Sequence, residues 1–107
     1  MEYITRLSGV TFDNCQRNIK MLGLPGIGDF DLNREPGNPH DPNAISVGFG
    51  VYKMGYLPAP LAQKLAPLMD VGKEYTAEYV SVNTSPYHDT VGLTVRIKEI
   101  LTKYLDA

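Results

Sequence analysis

A single cysteine, Cys15, among 107 residues leaves no partner for an internal disulfide and too few thiols for a multi-cysteine zinc site. Basic charge is also scarce. Ten Lys and Arg stand against twelve Asp and Glu, a formal net charge of −2. That balance argues against broad electrostatic coating of a duplex, although a few local cations could still serve a pocket that captures one nucleic-acid end. No apolar run approaches the ~20 residues needed to span a bilayer, and Met1-Glu2-Tyr3 carries none of the positive charge that opens a secretory signal. The expectation is a cytoplasmic chain, with no membrane partner, folding as one domain over residues 1–107.

The chain is rich in turn formers, with ten Gly and eight Pro, which favours short strands over a helical bundle. Residues 3–12 alternate loosely and predict a strand bent at Gly9. Asp13 or Asn14 is placed to cap a short helix over residues 15–22, with Ile19, Met21 and Leu22 as its apolar contacts. Residues 23–28 break that helix. Residues 30–34, 44–49 and 52–57 read as three further strands, the last two a hairpin turning at Gly50. Leu61, Ala62, Leu65, Ala66, Leu68 and Met69 recur at helical spacing, interrupted by Pro67, which should kink or divide the helix, and ended by Gly72. Residues 75–82 and 91–97 alternate again, joined by a polar loop over 81–90. Residues 100–105 suit a short terminal helix. Five or six short strands with one or two short helices predict an all-β dominated fold, a small closed or partly open barrel that hides its strand edges.

The most unusual local chemistry lies between residues 34 and 45. Pro36, Pro39 and Pro42 each remove an amide donor and restrict the preceding residue. Asn38, Asp41 and Asn43 can bond neighbouring backbone groups through their side chains, so an ordered rim is expected that carries Arg34, Glu35, His40 and Asp41. From the residues alone, these groups either stabilise a difficult turn or present charge and an imidazole to a ligand.

Arg34-Glu35-Pro36, Asn38-Pro39, Asp41, Asn43-Ala44-Ile45 and Val47, followed by Gly55-Tyr56-Leu57-Pro58 and Leu61-Ala62, resemble the HIRAN family; Gly9-Val10-Thr11-Phe12 is similar to its first strand. The resemblance implies an OB-like β-barrel that binds single-stranded DNA and captures its 3′ end. It further implies that Asp41 meets the terminal hydroxyl, and that His40 stands where members carry an aromatic. Tyr56 becomes a candidate pocket wall, and Arg6 and Arg34 candidate cationic contacts. Where those members carry an aromatic pair on the first strand, this chain has Thr5-Arg6-Leu7.

The leading reading is therefore a noncatalytic module for single-stranded DNA or DNA ends, using Arg6, Arg34, His40, Asp41 and Tyr56 and no cofactor. The alternative is a protein-interaction or assembly module that has lost the DNA pocket, with a protein partner. A third reading is a metal-dependent hydrolase or nuclease built on His40-Asp41 and His88-Asp89, whose spacing matches no strong metal motif.

Overall fold

The computed structural model describes residues 2–101. Its elements in chain order are β1 (Glu2–Arg6), α1 (Cys15–Leu22), β2 (Phe30–Arg34), β3 (Ile45–Phe49), β4 (Tyr52–Tyr56), α2 (Ala59–Asp70), β5 (Tyr75–Ser85) and β6 (His88–Glu99). The six strands form one antiparallel sheet in the order β1-β6-β5-β2-β3-β4. The sheet curls into a half-barrel. Its two ends meet at one point, where Ser8, just past β1, pairs with Tyr56 at the end of β4.

Period-two alternation explains most of the strands. In β6, Leu93, Val95 and Ile97 are buried while the intervening residues face outward. Phe30, Ile45, Val47 and Met54 fill the same core from β2, β3 and β4, and α2 adds Ala62, Leu65 and Ala66 from one stripe. β3 is enclosed on both faces, which is why even its Ser46 is buried.

Several boundaries differ from the sequence expectation, each for a physical reason. The first strand stops at Arg6 rather than running to residue 12, because Gly9 adopts φ +63° and Asp13 φ +50°, turning the chain away from the sheet. Neither Asp13 nor Asn14 caps α1 through its side chain; Asn14 stands at the cap position and offers only its backbone carbonyl to Asn18. Met21 is exposed, and Cys15 takes the buried position beside Ile19 instead. Desolvation there pushes the Cys15 thiol above its ordinary pKa, as expected of a structural rather than a reactive cysteine. α2 is not divided by Pro67, which sits exposed near its C-terminal end.

The polar segment over residues 81–90 is not a loop. β5 and β6 continue through it as a hairpin turning between Ser85 and His88. Beyond Val82, which still packs on the core, the hairpin is sustained by backbone pairing without a buried face to impose alternation, so its sequence does not read as strand. Residues 100 and 101 are not helical, and the rest of the expected terminal helix lies outside the described residues. No helix among the described residues is long and apolar enough to cross a membrane.

Closure of the sheet depends on a small residue beside the junction. A Cβ on Gly55 would lie 2.8 Å from the Ser8 carbonyl oxygen and 3.2 Å from the Leu7 Cβ. Gly55→Ala is expected to cost about 1–3 kcal/mol of stability in denaturant unfolding, since backbone must move to admit the methyl group. Gly37→Ala, where the added carbon meets open space, should change stability by less than about 1 kcal/mol.

Candidate functional site

β2 and β3 pair up to Arg34 and Ile45, and the ten residues between them form the proline-rich rim. Its root is closed by the Glu35 amide donating to the Ala44 carbonyl at 2.9 Å. Two backbone turns follow, Asn38 N–H to Glu35 O and Ala44 N–H to Asp41 O, each 3.0 Å. Side chains supply the remainder. The Asn38 Oδ1 accepts from the amides of His40 (2.8 Å) and Asp41 (3.2 Å), and the Asp41 Oδ1 accepts from the Asn43 amide at 2.8 Å. The expected ordered rim is thus present. Among the described residues, the second carboxylate oxygen of Asp41 accepts no hydrogen bond.

The facing lip is the turn over residues 9–14. The Ser8–Tyr56 pair fixes its start through hydrogen bonds of 2.7 and 2.8 Å. Gln16 fixes its far side. Its Nε2 donates to the carbonyls of Val10 and Val91, and its Oε1 accepts from the Val91 amide, all at 2.8 Å, so one side-chain amide stands in for a strand partner along β6. Gly9 leaves the two rings beside it room. A Cβ there would meet the rings of Phe12 and Tyr56, each at 3.2 Å. Phe12 is 64% exposed, a large apolar surface left in solvent at the mouth of a cavity.

Between the lips lies an open cleft of about 670 Å³. Ser8, Gly9, Phe12 and Asp13 line one side, Asn38, His40 and Asp41 the other, with Tyr56 and Leu57 between them. Among the described residues no Lys or Arg lines it, so its charge comes from two carboxylates.

The Tyr56 wall is braced from behind. Its hydroxyl donates to Glu35 Oε1 at 2.9 Å and accepts from Lys53 Nζ at 2.8 Å, while Lys53 pairs with Glu35 Oε2 at 3.0 Å. Asn38 Nδ2 donates to the same Glu35 Oε1 at 3.1 Å. Burial alone would raise the Glu35 carboxyl. The hydrogen bonds from Lys53, Asn38 and Tyr56, with the attraction of the ammonium, outweigh burial and hold it below the ordinary value. Lys53 is held above the ordinary lysine range, chiefly by its hydrogen bond to Tyr56 and, against the opposing effect of burial, by Glu35.

Of the five residues singled out in the sequence, the fold brings His40, Asp41 and Tyr56 together in the cleft. Arg34 is elsewhere. Its guanidinium forks onto Asp70 at the end of α2 (2.9 and 3.2 Å) and donates to the Ala44 carbonyl, bracing the root of the rim. Arg6 lies on the outer face of the sheet, its guanidinium over Gly92 of β6, two residues before the cleft-lining Ser8. Sequence reasoning missed Phe12 and Asp13, having placed Phe12 at the end of a strand. The signal that could have found them was the pairing of Gly9 with Asp13-Asn14, two turn-forming sites that leave Phe12 between strand and helix. His40-Asp41 and His88-Asp89 do not converge on a metal site: no group of three or more potential ligands occurs among the described residues.

The chain is thus an all-β dominated antiparallel half-barrel whose proline-rich rim overhangs an open cleft. The chain belongs to the HIRAN domain family, whose sequence profile matches residues 9–99. That family is associated with DNA binding. The fold is also similar to the crystal structure of a protein from Lactobacillus plantarum, with a TM-score of 0.66 and 25% sequence identity, covering 94% of this chain and 100% of that one. Among curated proteins none matches the sequence.

The lowered Glu35 pKa sets a direction for acid sensitivity. A carboxyl depressed in the folded state contributes stability above its unfolded value, near the ordinary 4.5, and loses it as pH falls through the folded value. The stability difference between wild type and Glu35→Gln should therefore shrink as denaturant unfolding is repeated from about pH 6 to about pH 3. A difference that stays constant over that window would mean the carboxylate charge is not what braces Tyr56.

Proposed function

We propose that this domain is a noncatalytic nucleic-acid-binding module that receives the 3′ end of a single DNA strand in the cleft. The observation that carries the reading is the composition of the lining: the rings of Phe12 and Tyr56, the His40 imidazole and two carboxylates, with no Lys or Arg among the described residues. Such a cleft suits a nucleoside and disfavours a phosphate. A strand interior brings a phosphate on both sides of every sugar, whereas a 3′ terminus ends in a hydroxyl. That hydroxyl can donate to the open oxygen of Asp41, the other being held by the Asn43 amide. Phe12 and Tyr56 offer ring faces or edges to a base, and Phe12 supplies from the turn the aromatic surface that Thr5-Arg6-Leu7 lacks.

The rest of the strand would lie outside the cleft, where the cations are. Arg6, Arg17 and Lys20 make no ion pair among the described residues, and Arg6 and Arg17 belong to the segments flanking the Phe12 lip. Arg34 serves this function by holding the rim rather than by contacting ligand. The same lining, with two carboxylates and no Lys or Arg, favours a second reading, in which the cleft takes a basic side chain of a protein partner.

Binding measured by fluorescence anisotropy at moderate salt separates these readings. Single-stranded DNA with a 3′ hydroxyl should bind about tenfold tighter than the same strand with a 3′ phosphate, the loss expected from one charge-assisted hydrogen bond. Asp41→Ala should abolish that preference. Phe12→Ala should weaken binding of both strands by about 1–3 kcal/mol, the worth of one base–aromatic stack. Absence of binding to either strand would reject the nucleic-acid reading and leave the protein-partner one. Equal binding would keep nucleic-acid recognition and reject the role given to Asp41.

A further inference from the structure

The cleft has two recognition surfaces: the aromatic wall of Tyr56 on β4 and the carboxylate of Asp41 on the rim. They arise 15 residues apart in the chain. Behind them stands one group that touches both sides and does not line the cleft, the carboxylate of Glu35. Its Oε1 accepts from the Tyr56 hydroxyl at 2.9 Å and from Asn38 Nδ2 at 3.1 Å. The opposite end of the Asn38 amide, Oδ1, receives the backbone amides of His40 and Asp41. Orientation therefore passes from Glu35 to Tyr56 in one step and to the Asp41 backbone through a single side-chain amide. Lys53 neutralises the carboxylate through Oε2 and binds the same Tyr56 hydroxyl, closing a three-membered ring of side chains.

We infer that Glu35 is a positioning residue for recognition in the cleft, holding the Tyr56 ring and the Asp41 carboxylate in mutual register; the inference rests on the end-binding function proposed above. The amide and carboxylate are matched to this task. A carboxylate accepts only, so it forces the Tyr56 hydroxyl to donate towards it and leaves the phenol's lone pairs to Lys53. It likewise forces Asn38 to present Nδ2 inward, which fixes Oδ1 towards the rim amides. A neutral amide at position 35 carries an acceptor and a donor, so it satisfies these partners less completely and loses the attraction of Lys53. Glu35 thereby sets selectivity for the strand end as well as affinity, although it meets no ligand atom.

The test measures affinity and the preference for a 3′ hydroxyl over a 3′ phosphate on the full chain, with circular dichroism to establish folding. Glu35→Gln is expected to weaken binding of the hydroxyl-ended strand about tenfold and to lower the preference towards unity. Glu78→Gln is the matched control. It makes the same change in net charge at a carboxylate engaged by Arg96 and Lys98 on β6. It should leave the preference unchanged, which separates positioning from a general electrostatic gain for a polyanion. Tyr56→Phe keeps the ring and removes the hydroxyl that Glu35 holds, and it should move the preference in the same direction as Glu35→Gln. That variant decides the matter if Glu35→Gln fails to fold. A wild-type preference in folded Glu35→Gln, or in Tyr56→Phe where the former does not fold, overturns the inference while leaving end binding intact. Wild-type protein that binds neither strand overturns both.

Discussion

Two backbone hydrogen bonds between Ser8 and Tyr56 join the free ends of the curled sheet, and the cleft exists because of them. A six-stranded half-barrel leaves β1 and β4 as edges, with unpaired amides that must be satisfied. At this one junction the edges satisfy each other. The chain then has to leave β1 abruptly, and positive φ at Gly9 provides the turn. The turn hangs beside Tyr56 rather than over open solvent, so Phe12 and Asp13 face the rim that rises between β2 and β3. Gly55 admits the close approach, and Gln16 pins the far side of the turn to β6.

The rim opposite is held by a different kind of force. Three prolines limit the conformations of the unfolded segment, and Asn38 and Asp41 replace the missing regular pairing with side-chain acceptors. The Arg34–Asp70 fork anchors the root of the rim to α2. One lip of the cleft is therefore rigid through local chemistry and the other through long-range pairing. The half-buried ring of Glu35, Lys53 and Tyr56 ties the rim to β4.

What could be read without coordinates follows the range of the forces involved. The alternation in residues 30–34, 44–49 and 52–57 announced β2, β3 and β4, because each has a face that must be buried. The helical recurrence of Leu61, Ala62, Leu65 and Ala66 announced α2 for the same reason. The polar end of the β5–β6 hairpin was invisible, since no buried face constrains its composition. Charge was misleading in one respect. Arg34 looked available in the sequence, but Asp70 lies 36 residues further along the chain, and only the fold shows that the two are paired.

The sequence by itself determined the family and the rim: the run from Arg34 to Leu57 contains its own turn chemistry, its prolines and its side-chain acceptors within a few residues of one another. It also singled out His40, Asp41 and Tyr56, which the fold brings together in the cleft. Tertiary structure alone decided that Phe12 and Asp13 complete the cleft, that Arg6 and Arg34 stand outside it, and that Glu35 bonds both Tyr56 and the Asn38 of the rim. Each of these depends on closure of the curled sheet, which brings together groups far apart in the chain, and local sequence pattern carries no record of such distances.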